Sequence, residues 1–348
     1  MPRLLDATTP AGLAAAVTEA AARLAAGELV ALPTETVYGL GARADRAEAV
    51  AKIFAAKGRP SDHPLIVHVA DAAGAEVFAK DGALPEVARC LVAAFWPGPL
   101  TVIVPRREGL AAEAAGGQDT VGLRCPDHPV ALALLREAAG LGVPGVAAPS
   151  ANRFGRVSPT QAAHAVSEFE GIAGQEDLLV LDGGDCEVGI ESTIIDCSRD
   201  HGRPVLLRPG RLTVAEIEAA AGQALVAKDG SAPRASGTLE AHYAPQAKVR
   251  LMARAQIDAA LGVWADAAGG RASAAAPTLA VYSRSRRAAV PGVVLRQMPD
   301  DAAAAAHELF AVLRALDATG TPLIWVELPP PDAAWDGVRD RLQRAAAA

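Results

Sequence analysis

Apolar positions recur every three to four residues from Pro10 to Ala26, with Leu13, Val17 and Leu24 on one side and Gly27 as a stop, so an amphipathic helix is expected. Glu28 to Leu32 then reads as a strand ended by Pro33, because proline cannot donate to a sheet ladder. Thr34, Glu35, Thr36 and Tyr38 crowd polar groups at that strand's end, and Gly39 and Gly41 follow within a longer turn. Asp45 is placed to cap a helix in which Val50, Ile53 and Phe54 recur at i, i+3 and i+4. That helix runs to about Lys57 and is stopped by Gly58 and Pro60. Leu65 to Val69 is a second strand, carrying His68 near its end.

The alternation continues. A helix from Leu84 to Phe95 leads through the rigid turn Trp96-Pro97-Gly98-Pro99 into a strand from Leu100 to Val104. Thr120 to Cys125 is a strand, His128 to Ala139 a helix, and Val143 to Ala148 a strand that breaks at Pro149 into Ser150, Ala151 and Asn152. Ser158, Pro159 and Gln161 have the spacing of a capping box, which puts Thr160 in a first helical turn with free N–H groups. Arg153 and Arg156 flank that start, where a phosphate contact and an ordinary solvated helix start both fit. Leu178 to Leu181 and Glu191 to Asp196 are strands around a glycine-rich turn, and Ser192 shares a face with Ile194. A strand from Pro204 to Leu207 ends in Arg208, and Thr213 with Glu216 caps a helix that stops at Gly222.

Residues 223–248 carry little periodicity and read as a linker, in which His242-Tyr243-Ala244-Pro245 is a rigid aromatic pair suited to docking on a surface. Strands near 249–252, 278–282, 293–296 and 322–328 then alternate with helices near 254–267, 301–318 and 332–346. That order predicts a small parallel α/β sheet. The expected division is a first domain over 10–212, the linker over 223–248, and a second domain over 249–348.

Length and charge narrow the choice of function. A chain of 348 residues can bury two cores, and a formal charge of −7 argues against a surface built to coat nucleic acid. The four cysteines show no C-x-x-C spacing, so neither a disulfide framework nor a zinc site is expected, and His63 and His68 have no third ligand nearby. The amino terminus lacks the apolar core of a signal peptide and no run approaches a membrane span, so a cytoplasmic protein without a membrane segment is expected. The GLGARA run matches a dinucleotide fingerprint only in part, since no acidic residue ends a following strand. Lys57 and Arg59 fit a helix-end role as well as a site role, and Arg124 fits an exposed strand charge as well as a site cation.

The ordered set PTETVYGLG, KGRP with PLIVH, FWPGPLT, TVGLRCP, APSAN, SPT, GIESTIID and LLRPG resembles the YrdC-like domain of threonylcarbamoyl-AMP synthases. HYAP before a small α/β domain resembles the long, two-domain form of that family. The resemblance implies a YrdC-like twisted-sheet α/β domain followed by a smaller Rossmann-like parallel α/β domain. It also implies condensation of L-threonine, bicarbonate and ATP into threonylcarbamoyl-adenylate with release of pyrophosphate, with Mg²⁺ held mainly by the ATP phosphates. The product would pass to a threonylcarbamoyl transferase complex acting on tRNA, and a monomer suffices. By the same resemblance Thr36, His68, Arg124, Ser150 and Ser192 would line the threonine pocket. Lys57, Arg59, His63, Thr120, Asn152, Thr160 and Arg208 would hold the nucleotide, with Lys57 and Arg59 supplying charge to the reaction, and His242 and Tyr243 would come from the linker to close the site. His63 stands where many relatives carry an amide. A non-catalytic RNA-binding module of the same fold is the alternative, and it would need a basic face.

Overall fold

The computed structural model describes residues 1–199, 203–268, 279–285 and 290–348. They form two compact units, Met1–Phe154 with Ser158–Thr238, and Gly155–Val157 with Leu239–Ala348.

The first unit is built on a ten-stranded mixed sheet. Its strands are β1 (Arg3–Asp6), β2 (Val30–Leu32), β3 (Gly39–Arg43), β4 (Ile66–His68), β5 (Leu100–Pro105), β6 (Thr120–Arg124), β7 (Val146–Ala147), β8 (Leu179–Asp182), β9 (Thr193–Asp196) and β10 (Val205–Arg208). They lie in the order β1-β8-β2-β3-β7-β4-β6-β5-β9-β10. Helices α1 (Pro10–Ala25), α2 (Ala47–Lys57), α3 (Ala72–Phe78), α4 (Glu86–Phe95), α5 (Pro129–Gly140), α6 (Ala162–Phe169) and α7 (Val214–Ala221) complete it. One core gathers Leu24, Leu32, Leu134, Leu179 and Leu181 with α1 and α5, and a larger one gathers Tyr38, Ile53, Val67, Phe78, Leu91, Leu123 and Phe169. Each such leucine or phenylalanine contributes roughly 1.5–3 kcal/mol of burial free energy. The capping box at the start of α7 forms as the spacing predicts: Thr213 Oγ1 accepts from the Glu216 N–H and Glu216 accepts from the Thr213 N–H.

Four local readings are corrected. Arg46, not Asp45, stands at the start of α2, because Asp45 is held by Arg43 in a paired hydrogen bond of 2.8 and 2.6 Å. The glycine run after Tyr38 is a strand, not a turn: β3 pairs antiparallel with β2, and a Cβ on Gly41 would come within 2.8 Å of Val146 and 2.9 Å of Leu32. No capping box forms at Ser158, and α6 begins four residues later at Ala162. Ser158 instead donates its hydroxyl proton to buried Glu191, and the Pro159 carbonyl accepts from the Tyr38 N–H. Residues 226–236, expected as open linker, pack Val226, Ala232 and Ala235 onto Ile66, Ile103, Ile194 and Leu207.

The second unit has four parallel strands, β11 (Lys248–Met252), β12 (Leu279–Ser283), β13 (Val293–Gln297) and β14 (Leu323–Glu327), in the order β11-β14-β12-β13. Helices α8 (Arg254–Ala268), α9 (Ala302–Asp317) and α10 (Asp336–Ala346) accompany them. This is the parallel α/β sheet that the strand-helix alternation predicts. Residue 278, expected to open the second of these strands, lies outside the described residues.

Candidate active site

Strand register decides which side chains meet. His68 pairs with Arg124, Ile66 with Gly122, Ile103 with Gly122, Thr101 with Ile194, and Arg208 with Ile194. Because side chains alternate across a sheet, His68, Thr120, Arg124, Thr101 and Ser192 share one face of adjacent strands, and a register shift between Leu206 and Arg208 lets Arg208 reach the Ser192 hydroxyl at 3.1 Å. Ile66, Ile103 and Ile194 form its floor and Gly122 keeps it low, since a Cβ there would already touch Thr101 at 3.4 Å. Residues Arg234, Ala235 and Ser236 lie over this floor, leaving a cavity of about 10 Å³ lined also by Pro64, Gln118 and Thr120. Arg234 is fastened to Asp62 at 3.0 Å, to the Gly116 carbonyl at 3.1 Å, and through its N–H to Gln118 at 2.8 Å.

Several of these groups are buried and polar. Ser192 Oγ lies 2.8 Å from Thr101 Oγ1, and Arg208 donates to the Ser192 carbonyl at 3.1 and 2.9 Å and to the Ser236 carbonyl at 2.9 Å. Arg124 Nη2 lies 2.7 Å from Glu35 Oε2. His68 is buried beside Arg124, and desolvation together with that cation pushes its pKa down to about 3, so the imidazole is neutral near pH 7. Its Nδ1 has no hydrogen-bond partner among the described residues, and neither has Thr160 Oγ1.

A second group gathers at the end of α2. Lys57, buried in the last helical turn, donates to the carbonyls of Ser150 and Asn152. Burial, and then Arg59, hold its pKa well below the usual lysine value. Arg59 donates to the Pro64 carbonyl at 2.9 Å and stacks over Phe154, whose ring meets the edge of His63 at 5.4 Å. Desolvation and Arg59 also lower the His63 pKa. Ser150 pairs with Gly39, and Asn152 Nδ2 donates to the Arg153 carbonyl at 2.7 Å. Thr36 stands in the turn after β2, its hydroxyl 2.9 Å from that of Thr34, which itself donates to the Val37 carbonyl. The Cys186 N–H binds the Thr160 carbonyl and the Val188 N–H binds the Glu35 carbonyl, so the glycine-rich turn holds both.

Thus the expected residues of the first unit fall into the sheet-face group, the α2-end group, and the Thr36 turn that Glu35 ties to Arg124. His242 and Tyr243 belong to the second unit. There Tyr243 is buried at φ +61°, with Phe310 5.4 Å away and the Arg341 guanidinium 5.3 Å from its ring. Glu35, Thr101 and Arg234 escaped the sequence reading. Period-two alternation in the strand after Trp96 could have found Thr101, which shares a face with Ile103; Glu35 showed only as one of the polar groups crowding the end of β2, and nothing in the spacing marks Arg234.

Known proteins agree with this construction. The Sua5/YciO/YrdC family model, described as telomere recombination, matches residues 22–210, and the threonylcarbamoyl-AMP synthase C-terminal domain model matches residues 212–347. The chain belongs to this family, in its two-domain form. It is 47 % identical over 241 residues to a threonylcarbamoyl-AMP synthase of Bacillus subtilis, covering 68 % of this chain and 66 % of that one. It is 46 % identical over 228 residues to the Pyrococcus abyssi enzyme of the same name, covering 64 % of each. The matched region thus spans a little under two thirds of these curated relatives. Two solved structures of the P. abyssi protein, each 34 % identical, cover 99 % of this chain. One, at a TM-score of 0.85 and covering 96 % of that chain, carries alanine at an adjacent histidine and tyrosine; the other, at 0.83 and covering 97 %, is a complex with L-threonine.

Proposed function

We propose that the protein is an L-threonylcarbamoyladenylate synthase, joining L-threonine, bicarbonate and ATP into threonylcarbamoyl-AMP with release of pyrophosphate and water. The observation that carries this reading is the gathering of buried cations with short hydroxyls, Arg124, Arg208, Thr101 and Ser192, on one sheet face of a chain of this family. Arg124 takes the α-carboxylate of threonine, and Ser192, Thr36 and Ser150 supply short polar partners for its hydroxyl. Neutral His68 offers one N–H and one lone pair. Carbamate and triphosphate are both anionic, so the step between them needs fixed positive charge, which Lys57, Arg59 and Arg208 provide. His63, Thr120, Asn152 and Thr160 serve the nucleotide.

Mg²⁺ would be carried mainly by the nucleotide phosphates, where it would screen their charge. No described helix is long and apolar enough to cross a membrane. A cytoplasmic monomer that hands its product to a tRNA-modifying transferase completes the reading.

The test is pyrophosphate release from ATP, Mg²⁺ and bicarbonate, with and without L-threonine and with serine as control. Threonine-dependent release yielding a labile adenylate is the expected result. Binding of RNA with no release under any combination would replace the enzyme with a non-catalytic module.

A further inference from the structure

Glu35 and Arg124 form a buried ion pair in which four polar side-chain atoms make no hydrogen bond among the described residues. Each residue is 3 % exposed. Both carboxylate oxygens of Glu35, and Nε and Nη2 of Arg124, are shielded from solvent and make no well-aligned hydrogen bond among the described residues, although Nη2 stands 2.7 Å from Oε2. Such a pair is a poor stabiliser. Withdrawing two ions from water costs several kcal/mol each, and their attraction offsets this only when the other donors and acceptors are satisfied. Here they are not, and the pair lies on the sheet face with His68 and Thr101.

A neighbouring guanidinium and carboxylate with spare donors and acceptors is the charge complement of an α-amino acid zwitterion. The guanidinium matches the α-carboxylate, and the carboxylate matches the α-ammonium. A ligand with only one of those charges would leave the other half of the pair unsatisfied in a dry site, which is where unmet polar groups discriminate most strongly. We infer that Glu35 receives the α-ammonium of the amino-acid substrate, so that the Arg124–Glu35 pair selects free α-amino acids. This rests on the functional reading above and adds a specificity residue to it.

The experiment is calorimetric titration of the full chain, without ATP, with L-threonine, with L-threoninol, which lacks the carboxylate, and with the hydroxy acid in which a hydroxyl replaces the amine. In Glu35→Gln, L-threonine affinity should fall by about 10- to 100-fold, as for loss of one charge-assisted hydrogen bond, while the weak affinity for the hydroxy acid holds or rises. Equal weakening of both ligands would show that Glu35 only orients Arg124 and would overturn the inference, as would unchanged threonine affinity. The unaltered chain supplies a second measurement, independent of how the variant folds. There neither L-threoninol nor the hydroxy acid should displace L-threonine at comparable concentration, and a hydroxy acid that binds as tightly as L-threonine would also sink the idea. Absence of threonine-dependent pyrophosphate release from the unaltered chain would instead strike the functional reading itself.

Discussion

Replacing His68 with glutamine should flatten the acid limb of the stability curve. Burial and the neighbouring Arg124 lower the His68 pKa from 6.5 to about 3 in the folded chain. Between those values the unfolded state binds a proton that the folded state refuses. Stability from this group is therefore intact above pH 6.5 and falls as pH drops below it, by about 1.4 kcal/mol per unit. From pH 7 to pH 5 only the 1.5 units below 6.5 count, so the wild-type chain should lose about 2 kcal/mol that His68→Gln does not. Urea unfolding of the first unit at the two pH values, in both chains, reads this difference, because His63 and His128 remain in both and cancel. Imidazole NMR supplies the direct check: the His68 resonance should stay at its neutral position through pH 5. Parallel stability curves, or a resonance that titrates near 6.5, would refute the burial argument and with it the neutral imidazole assigned to the site.

Arg59→Ala should keep the fold and reduce threonine-dependent pyrophosphate release by at least about 100-fold, the scale of one electrostatic group at a reacting phosphate; undiminished turnover would remove Arg59 from the site. Gly41→Ala should destabilise the first unit by about 1–3 kcal/mol in denaturant titration, because the added Cβ meets Val146 at 2.8 Å and Leu32 at 2.9 Å. Asp317→Ala should loosen the second unit by about 2 kcal/mol and speed amide exchange at Gln246 and Ala247, whose N–H groups it accepts at 2.9 Å each. Unchanged exchange there would show the carboxylate to be incidental.

Much of the fold was legible because local rules decided it. Pro10 at the first position of α1, the Thr213–Glu216 box, Gly58 as a left-handed stop and the 3.6-residue period of α9 all act within a few residues of themselves. Apart from Asp45, held by its near neighbour Arg43, what failed was decided from a distance. Ser158 has a perfect local claim to a helix cap, yet Glu191, thirty-three positions away, accepts its hydroxyl hydrogen bond. Gly39 and Gly41 look like turn residues until β7 approaches too closely for side chains. Residues 226–236 have no period of their own because they pack on a face supplied by other strands. The site shows the same split. Ser192 beside Ile194 was visible from alternation, whereas Glu35 becomes informative only when β6 delivers Arg124 to it.

The candidate-site cations of the first unit are held in different ways, and the difference matches two kinds of ligand. Lys57 donates to the Ser150 and Asn152 carbonyls, Arg59 to Pro64, and Arg208 to Ser192 and Ser236. Backbone carbonyls fix the direction of a cation without cancelling its charge, so the field stays available to an incoming polyanion. Arg124 faces the Glu35 carboxylate, which suits a ligand carrying both signs. Lys57 adds a conditional element, because burial and Arg59 hold its pKa well down until something anionic arrives. A triphosphate beside it would oppose that shift and favour the ammonium form. The overall charge of −7 is compatible with such a site, because the cations that matter are few, buried and pointed inward.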